Sequence, residues 1–289
     1  MANNLEFKLT LIITTKDRYD DLSYTLNRLR DLGLNSIPLI IIDDASSSVV
    51  VDPALICYFP KSKVLRNESS VGLIVNRNRL AELAETDYIC SLDDDSCFVS
   101  SDGIVEAISY LDANLDVIGL ELNNYDVNFG EKPKDYESPH PVQTYTGCGH
   151  ILRRKLFLEI GGYKEYFVHM CEERDLCMRA FRMGYKVMAY RSIIVEHQRS
   201  PIARNINRNQ MYLVRNTVLF SFLNLPLVYF FIRLIFVVPY FSMNLRMGQG
   251  VIPTLKGWIL AIREIFRISD QRVAMSMKCF EEFRKFPLR

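Results

Sequence analysis

Over its first two-thirds the chain alternates short apolar runs with segments whose apolar residues recur at helical spacing. Leu9-Thr10-Leu11-Ile12-Ile13-Thr14 is rich in β-branched residues and reads as a buried strand that breaks into polar Thr15-Lys16-Asp17-Arg18. Leu22, Leu26, Leu29 and Leu32 then mark a helix, capped at Asp20 or Asp21 and stopped by Gly33. Pro38–Ile42 predicts a second buried strand ending abruptly in Asp43-Asp44, and Val64-Leu65 a short third. A helix from about Asn76 to Ala84 precedes the strand Tyr88–Leu92, which runs into Asp93-Asp94-Asp95. Further on, Glu172-Glu173-Arg174-Asp175 opens a helix that Gly184 closes, and Ile193-Ile194-Val195-Glu196-His197 follows as a strand. This βαβ rhythm predicts an α/β fold, a mostly parallel sheet with helices on both faces, with ligands bound beyond the carboxyl ends of the strands.

Composition adds one thing to that picture. The 289 residues are 49% hydrophobic and 24% charged, as in an ordinary folded protein, and the formal charge of +1 argues against a nucleic-acid partner. The balance is uneven: from Arg199 onward 14 Lys and Arg oppose 4 Asp and Glu, or +10, which leaves −9 for residues 1–198. A domain boundary is therefore expected near residue 200, between an acidic front (1–200) and a basic, aromatic-rich helical region (201–289) suited to an anionic membrane surface. Seven cysteines without a C-x-x-C pair point to reduced thiols. The stretch Met1–Lys8 carries no basic segment followed by an apolar core, so no signal peptide is expected, and the expected location is cytoplasmic, peripheral to the inner face of the cell membrane.

The candidate chemistry sits at the strand ends. Neither G-x-G-x-x-G nor G-x-x-x-x-G-K-[ST] is present, which disfavours dinucleotide and P-loop sites. A diphosphate must then be neutralised in another way, and a divalent cation held by carboxylates does so. In extended chain Asp93 and Asp95 point one way and Asp94 the other, so the outer pair can share a cation such as magnesium or manganese. An acidic turn is also a common solvated feature, and acidic residues in the first turn of the 172 helix complement its dipole in any case. The same placement keeps a carboxylate ionised, as a general base requires. His197 after its strand is an acceptable extra metal ligand or a structural imidazole.

Taken in order, Thr14-Thr15, Ile-Ile-Asp43-Asp44-Ala-Ser, Val71-Gly72 with Arg77-Asn78, and Asp93-Asp-Asp95 resemble the family-2 glycosyltransferases. So do Gly161-Gly162-Tyr163, Glu172-Glu173-Arg-Asp175-Leu and Val195-Glu-His197, with a weaker extension to Tyr212 and Arg215-Asn216. The resemblance covers about residues 8–200. It implies a GT-A fold, a nucleotide-diphosphate sugar donor, Mn2+ or Mg2+, and inversion at the anomeric carbon. Carried over by position, it implies that Thr14, Thr15 and Asp44 hold nucleobase and ribose, that Arg77 and Asn78 lie by the nucleotide, and that Asp93 and Asp95 form the D-x-D pair with His197 assisting at the metal. It further implies Glu173 as the base and places Asp94, Glu172, Asp175 and Arg215 in the substrate-binding set.

Two departures stand out. The family's Glu-Asp is Glu172-Glu173 here, one methylene longer at the base. Gln-x-x-Arg-Trp, carried by processive synthases, is absent, which favours transfer of a single sugar. Residues 217–243 are apolar and aromatic but broken by Pro226, Arg233 and Pro239, so the segment suits an interfacial position more than a span, or else a buried helix packed on the sheet. A membrane-facing tail implies a lipid-linked acceptor or a growing cell-surface glycan. Two rival readings stay open: a nucleotide-sugar-binding or membrane scaffold with impaired catalysis, and a sugar-nucleotide pyrophosphorylase, whose glycine-rich basic first loop is missing after Thr14.

Overall fold

The computed structural model describes residues 5–49, 51–135, 137–200, 205–246 and 250–288, with the backbone alone for Glu6 and residues 237–246. The front half runs α1 (Leu5–Lys8), β1 (Leu9–Thr15), α2 (Tyr19–Asp31), β2 (Leu39–Asp43), α3 (Pro53–Ile56), β3 (Ser62–Arg66), α4 (Leu73–Leu83) and β4 (Tyr88–Asp93). It continues with β5 (Ser96–Phe98), α5 (Ile104–Ala113), β6 (Val117–Asp126), β7 (His140–Val142), β8 (His150–Arg153), α6 (Arg154–Glu159), α7 (Glu172–Arg182) and β9 (Lys186–His197). Four helices follow: α8 (Ile206–Asn224), α9 (Leu227–Arg246), α10 (Val251–Ile268) and α11 (Met277–Phe283).

The strands form one sheet in the order β3-β2-β1-β4-β8-β6-β9-β5, with β7 pairing β9. β1 to β4 are mutually parallel, as the βαβ rhythm predicts. Beyond them β8 lies antiparallel between β4 and β6, so the sheet as a whole is mixed. Alternate side chains face opposite layers. Leu9, Leu11 and Ile13 of β1 pack under α2 and α5, whereas Ile12, Ile40 and Ile42 meet α4, α6 and α7.

Two helix starts differ from the sequence expectation. α2 is not capped by Asp20 or Asp21; Arg18 is its N-cap, and both acids lie in its first turn. α4 begins three residues before Asn76, because Gly72 adopts φ 98 and lets the chain turn into the helix at Leu73. The stretch 123–143 contains the end of β6 and all of β7.

The C-terminal helices share the second core. Leu219, Phe220 and Leu223 of α8, Ile268 of α10 and Phe283 of α11 are buried with Phe157, Leu176 and Ala180. The apolar segment 217–243 is thus split at Pro226: its α8 portion packs on the catalytic layer, whereas Leu227, Val228, Phe231, Ile232, Ile235 and Phe236 on α9 are exposed. The side chains of Pro239, Tyr240 and Phe241 lie outside the described residues. α10 is held to α8 by close backbone approach at Gly257, where a Cβ would lie 2.6 Å from the Met211 carbonyl oxygen and 2.8 Å from Val214 Cβ. Gly257→Val is therefore expected to lower unfolding stability by about 1–3 kcal/mol in urea denaturation; an unchanged midpoint would show that the two helices do not need this contact.

Candidate functional site

Backbone register gathers the site. Thr14 of β1 pairs with Asp93 of β4, and Thr15 pairs with Asp43 of β2, so three carboxyl ends stop at one level. Each strand is an uninterrupted apolar run, and the polar residues that follow emerge together where the run stops.

Asp44 organises the floor. Its carboxylate accepts from the Ser70 hydroxyl at 2.6 Å, the amides of Val71 and Gly72 at 2.9 and 3.0 Å, and Asn67 Nδ2 at 2.9 Å. Against the cost of burial, those donors hold its pKa down to about 2. Asp44 thus fixes the turn into α4. The Thr14 hydroxyl, in contrast, is buried with no hydrogen-bond partner among the described residues.

The acidic triplet divides between two cations. Asp94 accepts from the Thr15 hydroxyl at 2.9 Å and from Arg18 Nη1 at 2.8 Å, and Arg18 also lies 3.5 Å from Asp95. Burial pushes the Asp94 carboxyl up to about 7, with Arg18 opposing. Asp95 Oδ2 accepts from the Ser200 amide at 2.8 Å, and its Oδ1 faces His197 Nε2 at 3.2 Å. Against burial, His197 and Arg18 hold the Asp95 carboxyl below its ordinary value. Asp93 turns to Arg77, whose Nη2 donates to it at 2.8 Å. So Asp93 and Asp95 flank His197 while Asp94 points to β1, through a turn after β4 and not through continued extended chain.

The chemistry of these groups suits a divalent cation. Ligand atoms of Asp93, Cys148 and His197 lie within 4.8 Å of one another, and Asp95 adjoins them through His197. The His197 ring is oriented by Asp126, whose Oδ1 lies 2.7 Å from Nδ1, leaving Nε2 toward the aspartates. Two carboxylates and an imidazole match a hard to borderline divalent ion. Burial raises the Cys148 thiol well above its usual range, so it stays a thiol and a poor partner for such an ion.

Arg77 joins this cluster to the start of α7. It is buried, donates to the Gly147 carbonyl at 2.8 Å, and its Nη1 lies 3.7 Å from both Glu172 and Glu173. Glu172 is enclosed, its side chain 2% exposed, whereas Glu173 is 15% exposed. Burial and the adjoining Glu173 carboxylate push Glu172 up to about 8, so it holds a proton at neutral pH. Gly147 makes room for the longer residue at position 173: a Cβ there would sit 2.5 Å from Glu173 Oε1 and 2.9 Å from Arg77 Nη1. Behind them a neutral His150, lowered to about 3 by burial and Arg77, meets the Tyr163 hydroxyl at 3.2 Å.

Three expected substrate residues are committed elsewhere. Asn78 exchanges hydrogen bonds with both backbone groups of Tyr163, at 2.9 Å each. Asp175 is bound by Arg179 at 2.7 Å and Asn224 at 2.9 Å, on the side of α7 facing α8. Arg215 donates to the Tyr166 carbonyl at 2.7 Å and pairs with Glu264 of α10 at 3.3 Å. Their polar atoms tie elements together in this structure. Glu172, beneath Arg77, likewise faces Glu173 and not open space. Sequence reasoning missed Arg18, read only as part of a polar break, and Asp126 and Gly147; Arg18's position just past β1, level with the aspartates, was the available signal.

Two clefts open beside His197 and Asp95. One, of about 480 Å3, is lined by Glu121, Asn124, Asp126, Lys132, Arg191 and His197; the other, of about 470 Å3, by Asp20, Asp21, Tyr24, Asp95 and Gln198.

Comparison with known proteins gives this geometry a family. The profile of Glycosyl transferase family 2 matches residues 10–174. The uncharacterized glycosyltransferase YwdF of Bacillus subtilis is 28% identical over 190 residues, 62% of this chain and 70% of that protein. Among solved structures, S. aureus TarS superposes with a TM-score of 0.57 at 18% identity, over 73% of this chain but 39% of TarS. The mannosyltransferase PcManGT from Pyrobaculum calidifontis, solved with GDP-Man and Mn2+, gives 0.57 at 12% identity over 96% of this chain and 79% of its own. The superpositions show a shared fold, the GT-A arrangement of a mixed sheet with flanking helices. With the sequence profile covering more than half its length, the chain belongs to glycosyl transferase family 2.

Proposed function

We propose that the protein transfers a single sugar from a nucleotide-diphosphate sugar to an acceptor hydroxyl with inversion, using Mn2+ or Mg2+. The observation that carries this reading is Arg77, which holds Asp93 of the D-x-D triplet and Glu173 of α7 on one guanidinium. Donor-side and base-side carboxylates are thereby set at adjacent positions, as a one-step displacement needs. The complexes of TarS with UDP-GlcNAc and of PcManGT with GDP-Man and Mn2+ support a nucleotide-sugar donor and a divalent ion here as well.

Asp93, Asp95 and His197 are the residues that would hold the cation, which when bound stabilises negative charge on the leaving diphosphate. The Thr14 hydroxyl, which has no hydrogen-bond partner among the described residues, lies at the end of β1 on the nucleoside side of the site. Asp44 contributes indirectly, by holding the 70–72 turn. The acceptor hydroxyl loses its proton to Glu173 as it attacks the anomeric carbon, and the nucleoside diphosphate departs from the opposite face. Burial and the adjoining Glu173 carboxylate keep a proton on Glu172, so Glu173 does not face a second full negative charge beside it. Inversion in one displacement needs no covalent enzyme intermediate. The acceptor fits a lipid-linked or cell-surface glycan, approached through the cleft beside His197.

Glu173→Gln is expected to reduce transfer by at least about a thousandfold while the thermal shift given by a nucleoside diphosphate with Mn2+ persists. Transfer equal to that of the unaltered protein would refute the base; loss of the thermal shift would move Glu173 into donor binding. A panel of UDP, GDP and dTDP in the same assay identifies the base.

The Glu172 proton has a thermodynamic consequence. The carboxyl titrates at about 8 when folded against an ordinary 4.5, so the folded state binds more protons between those values. Its contribution to stability is complete below the ordinary value and is lost as pH rises through about 8. Glu172→Gln, a neutral isostere, is therefore expected to flatten the fall in Tm between about pH 5 and 8. Parallel Tm profiles for the two proteins would show that Glu172 is already ionised at neutral pH.

A further inference from the structure

α10 carries its amphipathicity the wrong way round for a helix of a finished core. Its inward stripe runs through the small residues Thr254, Gly257 and Ala261, packed on α8, and reaches large apolar side chains only in the last turn at Ile265 and Ile268. Its outward stripe is Ile252, Leu255, Ile259, Ile262 and Phe266, every one more than half exposed and Phe266 80% exposed. Spacings of three and four residues keep these five on one face over about 20 Å of helix. Lys256, Arg263 and Arg267, spaced seven and four apart, form a second exposed row along one edge of that face. The helix's one acid, Glu264, is turned away to Arg215 and Arg267. The first turns of α9 add Phe231, Ile235 and Phe236 to the exposed apolar surface.

An apolar face bordered by a cationic row is the pattern of a helix lying in a bilayer interface, with its long basic side chains reaching the headgroups. Among the described residues no helix is long and apolar enough to cross a membrane. A second copy is a poorer fit, because α10 packed on α10 would bring the same basic row alongside itself. The +10 balance from Arg199 onward matches an anionic surface. The anchor is also rigid: close contact at Gly257 fixes α10 to α8, and α8 to the catalytic layer, so the apolar stripe is presented outward in one orientation.

We infer that α10 docks the protein in the plane of an anionic phospholipid bilayer, with its outward stripe inserted among the acyl chains and Lys256 and Arg263 at the phosphates, Arg267 being held by Glu264. This goes beyond sugar transfer and does not depend on it, since the test reads binding alone. The full chain is floated with vesicles of phosphatidylcholine and of phosphatidylcholine with phosphatidylglycerol. Binding to the anionic vesicles is expected, weakened by salt. Leu255→Asp with Ile259→Asp should reduce it at least about tenfold, and Lys256→Gln with Arg263→Gln should reduce it by a similar factor on anionic vesicles alone. All four substitutions lie on the exposed face, and an unchanged melting temperature verifies that each variant is folded. A protein that stays in solution with both vesicle types overturns the inference. So does a concentration-dependent dimer, dissolved by the Asp variants without vesicle binding, which would assign the face to a second copy.

Discussion

A single buried guanidinium sets the geometry of this protein's site. Arg77 stands in a desolvated position among Asp93, Glu172 and Glu173 and donates to the Gly147 carbonyl. Three carboxyl groups brought that close repel one another unless a cation lies between them or a proton neutralises one, and both remedies are present. Arg77 serves two of the groups, and burial keeps a proton on Glu172. Four chain segments, α4, β4, the 147 turn and α7, are thereby fixed to one side chain, so the distance between Asp93 and Glu173 is a property of the fold.

That arrangement leans on the C-terminal helices. The turn leading into α7 holds Val168, Met170 and Cys171 at φ of 63, 72 and 74, conformations that non-glycine residues occupy only when their surroundings enforce it. The enforcement comes from α8: Asn216 Nδ2 donates to the carbonyls of Phe167 and Met170, and Arg215 to that of Tyr166. The residues after 200 thus hold the turn before Glu173 from behind, and through α10 offer the exposed apolar face inferred above to dock on a bilayer.

The strands β1, β2 and β4 were legible because each is a continuous apolar run ending in a polar cluster, and parallel pairing makes such ends coincide. Asp93, Asp95, Glu173 and His197 followed from those ends and from the family resemblance, and the fold gathers Asp93, Asp95 and His197 about one point, with Arg77 linking Glu173 to Asp93. What a residue donates to is less legible. Asn78, Asp175 and Arg215 fall within matching motifs, yet their polar atoms serve the backbone of Tyr163, the α7–α8 contact and the turn before α7. Sequence spacing reports that a position is constrained without saying whether a ligand or another strand constrains it. Gly147 shows the converse. Its role, admitting a glutamate where an aspartate is usual, depends on a tertiary approach that no local pattern encodes. The antiparallel insertion of β8 was equally hidden, because a four-residue strand has no periodicity of its own.

Arg77→Lys tests the central claim most directly, since lysine keeps the charge but cannot reach Asp93 and both glutamates at once. The account predicts a folded protein that retains its thermal shift with nucleoside diphosphate and Mn2+ while turnover falls by about a hundredfold or more. Turnover within a factor of about two of the unaltered protein would contradict it, showing that donor and base are aligned without the shared guanidinium.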